Sequence, residues 1–296
     1  MRAFPALFRR NCRLFFKDKG MFFTSLITPV ILLVLFVTFL GNVYRSSFES
    51  MLPFFFHVED ALLNGIVGGQ LVAALLAVSC GTVSFCANLL MVQDKANGTR
   101  RDLTIAPVSG GVLALSYFAA SFASAVMICL LALGAGLAYL AATGWYLSAI
   151  DVALLFGDVV MMTLFGTALS SVIGHFLSTQ GQMSAVGTIV SSGYGFLCGA
   201  YMPISQFGEG LQKLLACLPG TYGTVLLHDH AMRGALNQLT EGGVPDSALK
   251  LIRDALDCNL YFFDQQVSEA ALWTLPLASI VVLTGVFVLL NRGKKA

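Results

Sequence analysis

Along this chain, apolar positions come in long charge-free runs rather than in the short alternating stretches of a soluble domain. A helix needs about 20 mostly apolar residues to cross a ~30 Å hydrocarbon core. Residues 21–40 meet that length with no charge, and 61–92 extend it to 32 uncharged residues. The stretch 103–150 is uncharged too, but Pro107, Ser109, Gly110 and Gly111 break its start. The third span is therefore expected at 112–142, ending near Gly144, Trp145 and Tyr146, whose aromatics suit a membrane interface. A fourth is expected at 152–176 and, after the polar turn 177–183, a fifth at 184–202. The last, 272–290, runs into Arg292, Lys294 and Lys295. Six spans place both ends on one side.

Composition agrees with this pattern. Apolar residues make up 57% of the chain and charged residues 11%, against about 25% charged in soluble domains; mean hydropathy is +0.80. A soluble enzyme or nucleic-acid binder would need more charged surface, and 17 basic against 16 acidic residues leave no basic face for nucleic acid. The distribution of charge sets the orientation. With the N-terminus cytoplasmic, the inner segments hold Arg2, Arg9, Arg10, Arg13, Lys17, Lys19, Lys95, Arg100, Arg101, Arg292, Lys294 and Lys295, which is 12 of the 17 basic residues. Twelve of the 16 acids fall outside. The positive-inside rule then gives both termini cytoplasmic, in the cell membrane. The opening segment does not read as a cleavable signal, because its basic residues continue to Lys19 and the apolar run after them is too long.

The segments outside the spans carry the candidate chemistry. Residues 1–20 are expected as an amphipathic helix in the headgroup plane. Phe4, Leu7, Phe8 and Phe15 recur at helical spacing, and Arg9, Arg13 and Lys17 step along the opposite side beside Arg10. That helix is either a topology anchor on lipid or a docking surface for a cytosolic partner. The inner loop 93–109 contains Asp94, Lys95, Asn97, Gly98, Thr99, Arg100, Arg101 and Asp102. Asn97-Gly98 signals a turn, Thr99 is a candidate N-cap, and Pro107 stops the short helix that follows. Outside, 203–270 is expected to open with a short amphipathic helix at 206–218 and to form a small helical cap over 225–268, the most polar part of the chain.

Several isolated residues invite a functional reading. Asp158 sits inside the fourth span, where an ionisable group is a candidate for the translocation path or for helix packing. His175, near the inner end, reads as interfacial. His228-Asp229-His230 would share a face on a strand but lack a third metal ligand. Cys217 and Cys258 both fall outside and could pair in an oxidising compartment. Gly195-x-x-x-Gly199 permits close helix approach, within one subunit or between two.

Taken in order, these features resemble the ABC-2 type transporter permeases, the membrane subunits of a class of ABC exporters. The basic helix around Arg9–Lys17 leads into a span containing Pro29. The inner loop carries Asp94-Lys95-x-x-Gly98-Thr99 and then Leu103-x-x-Ala106-Pro107-x-Ser109. After the fifth span come Gly199-x-Tyr201-x-Pro203 and Leu218-Pro219. Two positions depart from the family pattern: Arg100-Arg101 intervene before Asp102, and Tyr117 stands where a Lys often opens the third span.

The resemblance implies an all-α membrane fold, with residues 21–296 as the transmembrane domain and outer re-entrant helices after the fifth span. It implies that 94–106 is a coupling helix, with Asp94, Lys95, Gly98, Thr99, Arg100, Arg101 and Asp102 against a separate ATP-hydrolysing subunit. Arg9, Arg10, Arg13 and Lys17 would flank the same subunit. ATP and Mg would be bound by that partner, with no cofactor in this chain, which contains no GxxxxGK[ST] phosphate loop. Two permeases, identical or different, would work together and export an amphipathic drug, lipid, peptide or lipid-linked glycan. A non-transporting scaffold subunit and an ion-coupled secondary transporter are the rival readings. The second would need more intramembrane charge than Asp158 supplies and an internal repeat.

Overall fold

The computed structural model describes residues 3–51, 59–105, 108–263 and 265–292. Arg2, Ala106, Pro107, Lys294 and Lys295 lie outside them. Helix α1 (Ala3–Lys17) is followed by α2 (Lys19–Leu35), a π-helical turn (Phe36–Leu40) and α3 (Gly41–Met51) in one continuous rod. Then come α4 (Asp60–Ala96), the short α5 (Thr99–Ile105), α6 (Gly110–Thr143), α7 (Ala149–Phe176) and α8 (Gln180–Leu197). A 3-10 turn (Ile204–Gln206) leads to α9 (Glu209–Leu215), α10 (Pro219–Glu241), α11 (Asp246–Ala255), a two-stranded hairpin of β1 (Tyr261–Phe262) and β2 (Gln265–Gln266), and α12 (Glu269–Arg292).

Among the described residues, five helical stretches are long and apolar enough to cross a membrane: 19–46, α4, α6, α7 and α12. They coincide with the expected spans and overrun most of them by a turn or less, because helices continue past the hydrocarbon until a cap stops them. Ser148 caps α7 reciprocally with Asp151, for example, and Asp18 accepts the Met21 N–H at the start of α2. Where the fifth span is expected the chain forms the helix α8, displaced to earlier residues and ending at Leu197. Its Gly, Ser and Gln content keeps it out of that apolar class.

The core is organised around α4. Of its most apolar stretch 83% is buried, against 24% for α2 and 22% for α12. Helices α2, α6, α7, α8 and α10 all pack on it. Close approach is what the small residues supply. A Cβ at Gly166 of α7 would stand 2.8 Å from the Cys80 carbonyl oxygen of α4. Beside it, Ser84 Oγ contacts the carbonyls of Cys80 (2.6 Å) and Thr163 (3.1 Å), so its polar group is satisfied at the seam.

Beyond α8 the expectations need correction. The helix expected over 206–218 is two pieces, the 3-10 turn and α9. The helical cap expected over 225–268 is helical in α10 and α11, but α10 does not sit apart as a cap: most of its residues from Gly220 to Leu239 are buried against α4, α7 and α12. Most of its polar side chains find internal partners, as His230 does in Asp158 and Asp229 in Arg233, so they do not need solvent. The paired glycines of 195–199 serve packing within the chain. A Cβ at Gly195 would meet the Tyr201 ring at 2.4 Å, while Gly199 lies past the helix end with φ +79°.

Candidate functional site

The residues of the loop between α4 and α6 gather where α1, α4, α5, α6, α7 and α12 meet, here termed the proximal end. Asp94 is in the last turn of α4 and is 7% exposed. Arg10 of α1 donates to Asp94 Oδ2 at 2.8 Å through Nη1, which also reaches Asn11 Oδ1 at 2.8 Å. The Tyr117 hydroxyl of α6 donates to the same Asp94 oxygen at 2.5 Å. One carboxylate thus ties three helices together, with a cation and a neutral donor sharing it. Burial of an unpaired carboxylate would be costly, so the two donors are what allow Asp94 to sit there.

Lys95 points the other way. Its ammonium donates to the carbonyl oxygens of Gly174 (2.9 Å) and Leu177 (3.1 Å) and also to that of His175. These are orphan acceptors at the C-terminus of α7, where a cation is favoured by the helix dipole as well as by hydrogen bonding. Arg100 of α5 donates to Asn291 Oδ1 of α12 at 2.7 Å, and Asn291 Nδ2 holds the Phe287 carbonyl at 2.7 Å. Burial lowers the Arg100 guanidinium from its ordinary value.

Helix α5 follows a sharp turn. Gly98 has φ +78°, a backbone region that residues with a Cβ rarely adopt. Its carbonyl accepts the N–H groups of Arg101 and Asp102 at 2.8 and 3.3 Å. Gly98 therefore occupies the N-cap position expected of Thr99, which is the first helical residue. Arg101, Asp102 and Ile105 are exposed, Ile105 at 81%. On α1, Leu7, Asn11 and Phe15 face the protein, with Phe15 2% exposed, and the helix packs mainly along α6. Arg9, Arg13 and Lys17 remain exposed on its far side.

A second feature is a groove of about 480 Å³ between α2, α4 and α8. Thr24, Thr28, Thr82, Ser184, Thr188 and Ser191 line it beside Ile27, Phe85 and Leu89. Several of these hydroxyls bond back to their own helix, as Thr188 does to Ser184 and Thr82 to Val78. The wall is weakly polar.

The sequence profile of the ABC-2 type transporters matches residues 2–229, from α1 into α10. The chain belongs to the ABC-2 type transporter family. It is a multi-pass membrane protein, the permease component of an ABC transporter, and permeases of this family work with an ATPase subunit. Permease components of this kind lack the nucleotide-binding domain. No curated protein matches the chain.

In this permease the expected coupling residues take different places. Asp94, Lys95 and Arg100 are engaged with α1, α6, α7 and α12. Gly98 shapes the turn, and Arg101 and Asp102 face outward. Asp158 does not line the groove; it is 0% exposed and its Oδ2 lies 2.6 Å from His230 Nδ1 of α10. His228 and His230 are on a helix and not a strand, so they diverge: His228 Nδ1 meets the Leu256 carbonyl at 3.1 Å. Burial pushes the His228 imidazole down to about 4, which keeps it neutral at physiological pH. Among the described residues no cluster could hold a metal ion. Cys217 is exposed and Cys258 buried, and both are free thiols.

The sequence reading missed the groove and the Tyr117 contact. The groove's signal was a recurring Ser/Thr along 184–191 that meets Thr24 and Thr28 only after folding. Tyr117 stood out only as a departure from the family pattern.

Proposed function

We propose that this permease is the membrane subunit of an ATP-driven exporter, with both termini cytoplasmic and α8 as the sixth crossing helix. At 18 residues α8 reaches about 27 Å, close to a hydrocarbon thickness. The charge distribution supports the orientation: Arg9, Arg10, Arg13, Lys17, Lys95, Arg100 and Arg101 all lie at the proximal end. Helix α5, with exposed Arg101, Asp102 and Ile105, would seat in a separate ATPase subunit, and Arg9, Arg13 and Lys17 would flank it. Motion of α5 would pass to α12 through Arg100–Asn291 and, through the adjoining end of α4, to α1 and α6 through Asp94 and to α7 through Lys95. The Asp94 knot carries this reading, because it joins the loop rigidly to helices that would otherwise slide independently.

Cargo would move along the groove between α2, α4 and α8. The exposed Ser/Thr face of α8 is ill suited to lipid over its whole length, so a second permease subunit would cover it. The weakly polar wall suits an amphipathic cargo such as a drug, lipid, peptide or lipid-linked glycan. Arg101→Glu combined with Ile105→Glu should cut co-purification of the ATPase subunit at least tenfold and abolish cargo-stimulated ATP turnover, with extraction unchanged. Undiminished binding and turnover would leave α5 a mere connector. Single cysteines at positions 98 and 240 should label from the cytoplasmic and outer sides respectively.

A further inference from the structure

Polar groups are not spread evenly around the groove between α2, α4 and α8. Its floor on α4 is mostly apolar, formed by Phe85, Cys86 and Leu89, with Thr82 almost fully buried. The other hydroxyls stand on the two flanking helices: Thr24 and Thr28 on α2, and Ser184, Thr188 and Ser191 on α8. Their spacing is i, i+4 on α2 and i, i+4, i+7 on α8, so each set forms a rail along one face of its helix. At about 1.5 Å per residue the α8 rail runs about 10 Å. Thr24, Ser184, Thr188 and Ser191 are exposed, so these rails are open to a ligand rather than sealed in the core.

Among the described residues, no Asp, Glu, Lys, Arg or His lines the groove. Helix α8 carries no charged side chain, and on α2 the nearest, Lys19, is five residues before Thr24. An ion leaving water for this site would find no counter-ion, and a charge desolvated without a partner is expensive. The hydroxyls offer a different match. Each has one proton and two lone pairs. Thr24 gives its proton to the Gly20 carbonyl at 2.6 Å, Thr188 to that of Ser184 at 3.0 Å and Ser191 to that of Thr188 at 3.1 Å. Their oxygens are left as acceptors, while Thr28 and Ser184 commit their protons to no acceptor among the described residues. Neutral amides and alcohols both donate and accept, and so pair with both kinds of site. We propose that the groove selects an uncharged amphiphile whose amide or hydroxyl groups are spread over about 10 Å, and excludes ions of either sign, phosphate-bearing lipids included. Its apolar part would lie on Phe85 and Leu89. This rests on the reading of the groove as the cargo path.

The test uses the full chain in phosphatidylcholine nanodiscs with photoprobes that share one diazirine-bearing alkyl chain and end in a neutral hydroxyethyl amide, a trimethylammonium or a sulfonate. After irradiation, labelled peptides are mapped by mass spectrometry. Labelling at 24–28 and 184–191 is divided by that at the membrane-facing Leu289, 66% exposed, which removes differences in bilayer partition. The ratio for the amide should be at least fivefold that of either ion. Thr188→Val keeps the shape and removes an acceptor; it should lower the amide ratio about twofold. Thr188→Lys supplies the missing cation and should raise the sulfonate ratio at least fivefold. An ion that labels as strongly as the amide overturns the proposal and leaves the groove as a cargo path. Ratios near one for every probe, as a groove filled by a second subunit would give, overturn both. The wild-type ratios decide this whether or not either variant folds, and an amide ratio unchanged by Thr188→Val overturns recognition by the α8 rail.

Discussion

Helices α2 and α4 are both long and apolar, yet one is mostly exposed and the other is the centre of the protein. The difference lies in side-chain size. Helix α2 reads Leu-Ile-Thr-Pro-Val-Ile-Leu-Leu-Val-Leu, bulky and apolar but for Thr28. Helix α4 carries Gly65, Gly68, Gly69, Gly81 and Ala73, Ala74, Ala77 along with Ser79, Thr82 and Ser84. In water the bulkier helix would be buried. In a bilayer lipid tails solvate it equally well, so association is won by the helix that lets other backbones come close and hydrogen-bonds across the seam. Helix α4 also ends in Asp94 and Lys95, whose partners are on α1, on α6 and at the C-terminal end of α7. The comparison teaches that hydropathy finds the spans but does not rank them by burial.

The comparison breaks most visibly at Gly69. A Cβ there would lie 2.7 Å from both the Ala231 carbonyl oxygen and Met232 Cγ. Gly69→Val should destabilise the permease by about 3 kcal/mol or more and abolish a monodisperse peak in detergent chromatography. Next is Asp94→Ala, which leaves Tyr117 and a partly buried Arg10 without their acceptor. A loss of about 2 kcal/mol is expected, discounted because Arg10 keeps some solvent, read as a lower thermal midpoint with α1 becoming protease-sensitive. Asp94→Asn should recover part of it.

A smaller, local effect is expected at Asp257. Its carboxylate accepts the Ile204 N–H at 2.6 Å, and burial raises it to about 7 against the pull of the Ile204 and Ser205 amides. The folded form holds the proton more tightly than the unfolded chain, so the stabilisation is full below about 4 and is lost as pH rises through about 7. Amide exchange over 199–207, corrected for its intrinsic pH dependence, should therefore be slower at pH 6 than at pH 8. Asp257→Asn should erase that difference. Smallest of all is Ile31→Ala on α2: Ile31 is 55% exposed, and the change should shift stability within about 0.5 kcal/mol. A loss comparable to that at Gly69 would mean that size does not separate the two helices.

Much of this was legible in the sequence. Charge-free runs located the five apolar spans because nothing but length and absence of charge is needed to cross a bilayer. The Asp94-Lys95-x-x-Gly98-Thr99 segment was visible as a unit, and Gly98 does take the left-handed turn that its Asn-Gly pair signals. What failed was α10. His228, Asp229, His230 and Arg233 look like a solvated cap because sequence shows polarity but not pairing. His230 meets Asp158, and Asp229 accepts from Arg233 and Arg253. The small residues Gly220, Gly223, Ala231, Gly234 and Ala235 on that helix were the overlooked sign of burial. The direction of Lys95 was equally hidden, since the end of α7 that it caps lies 79 residues on.

The Arg10–Asp94–Tyr117 knot also has a bearing on biosynthesis. Helix α1 leaves the ribosome before its partners: the carboxylate follows 84 residues later and the tyrosine 23 residues after that. At about 5–20 residues per second, Arg10 waits several seconds before anything exists to hold it. During that interval α1 has only the lipid surface to shelter Phe15 and Leu7, and a charged flank to keep it from slipping inward. Its final seat on α6 is thus a late event, reached only after the first half of the chain has been made.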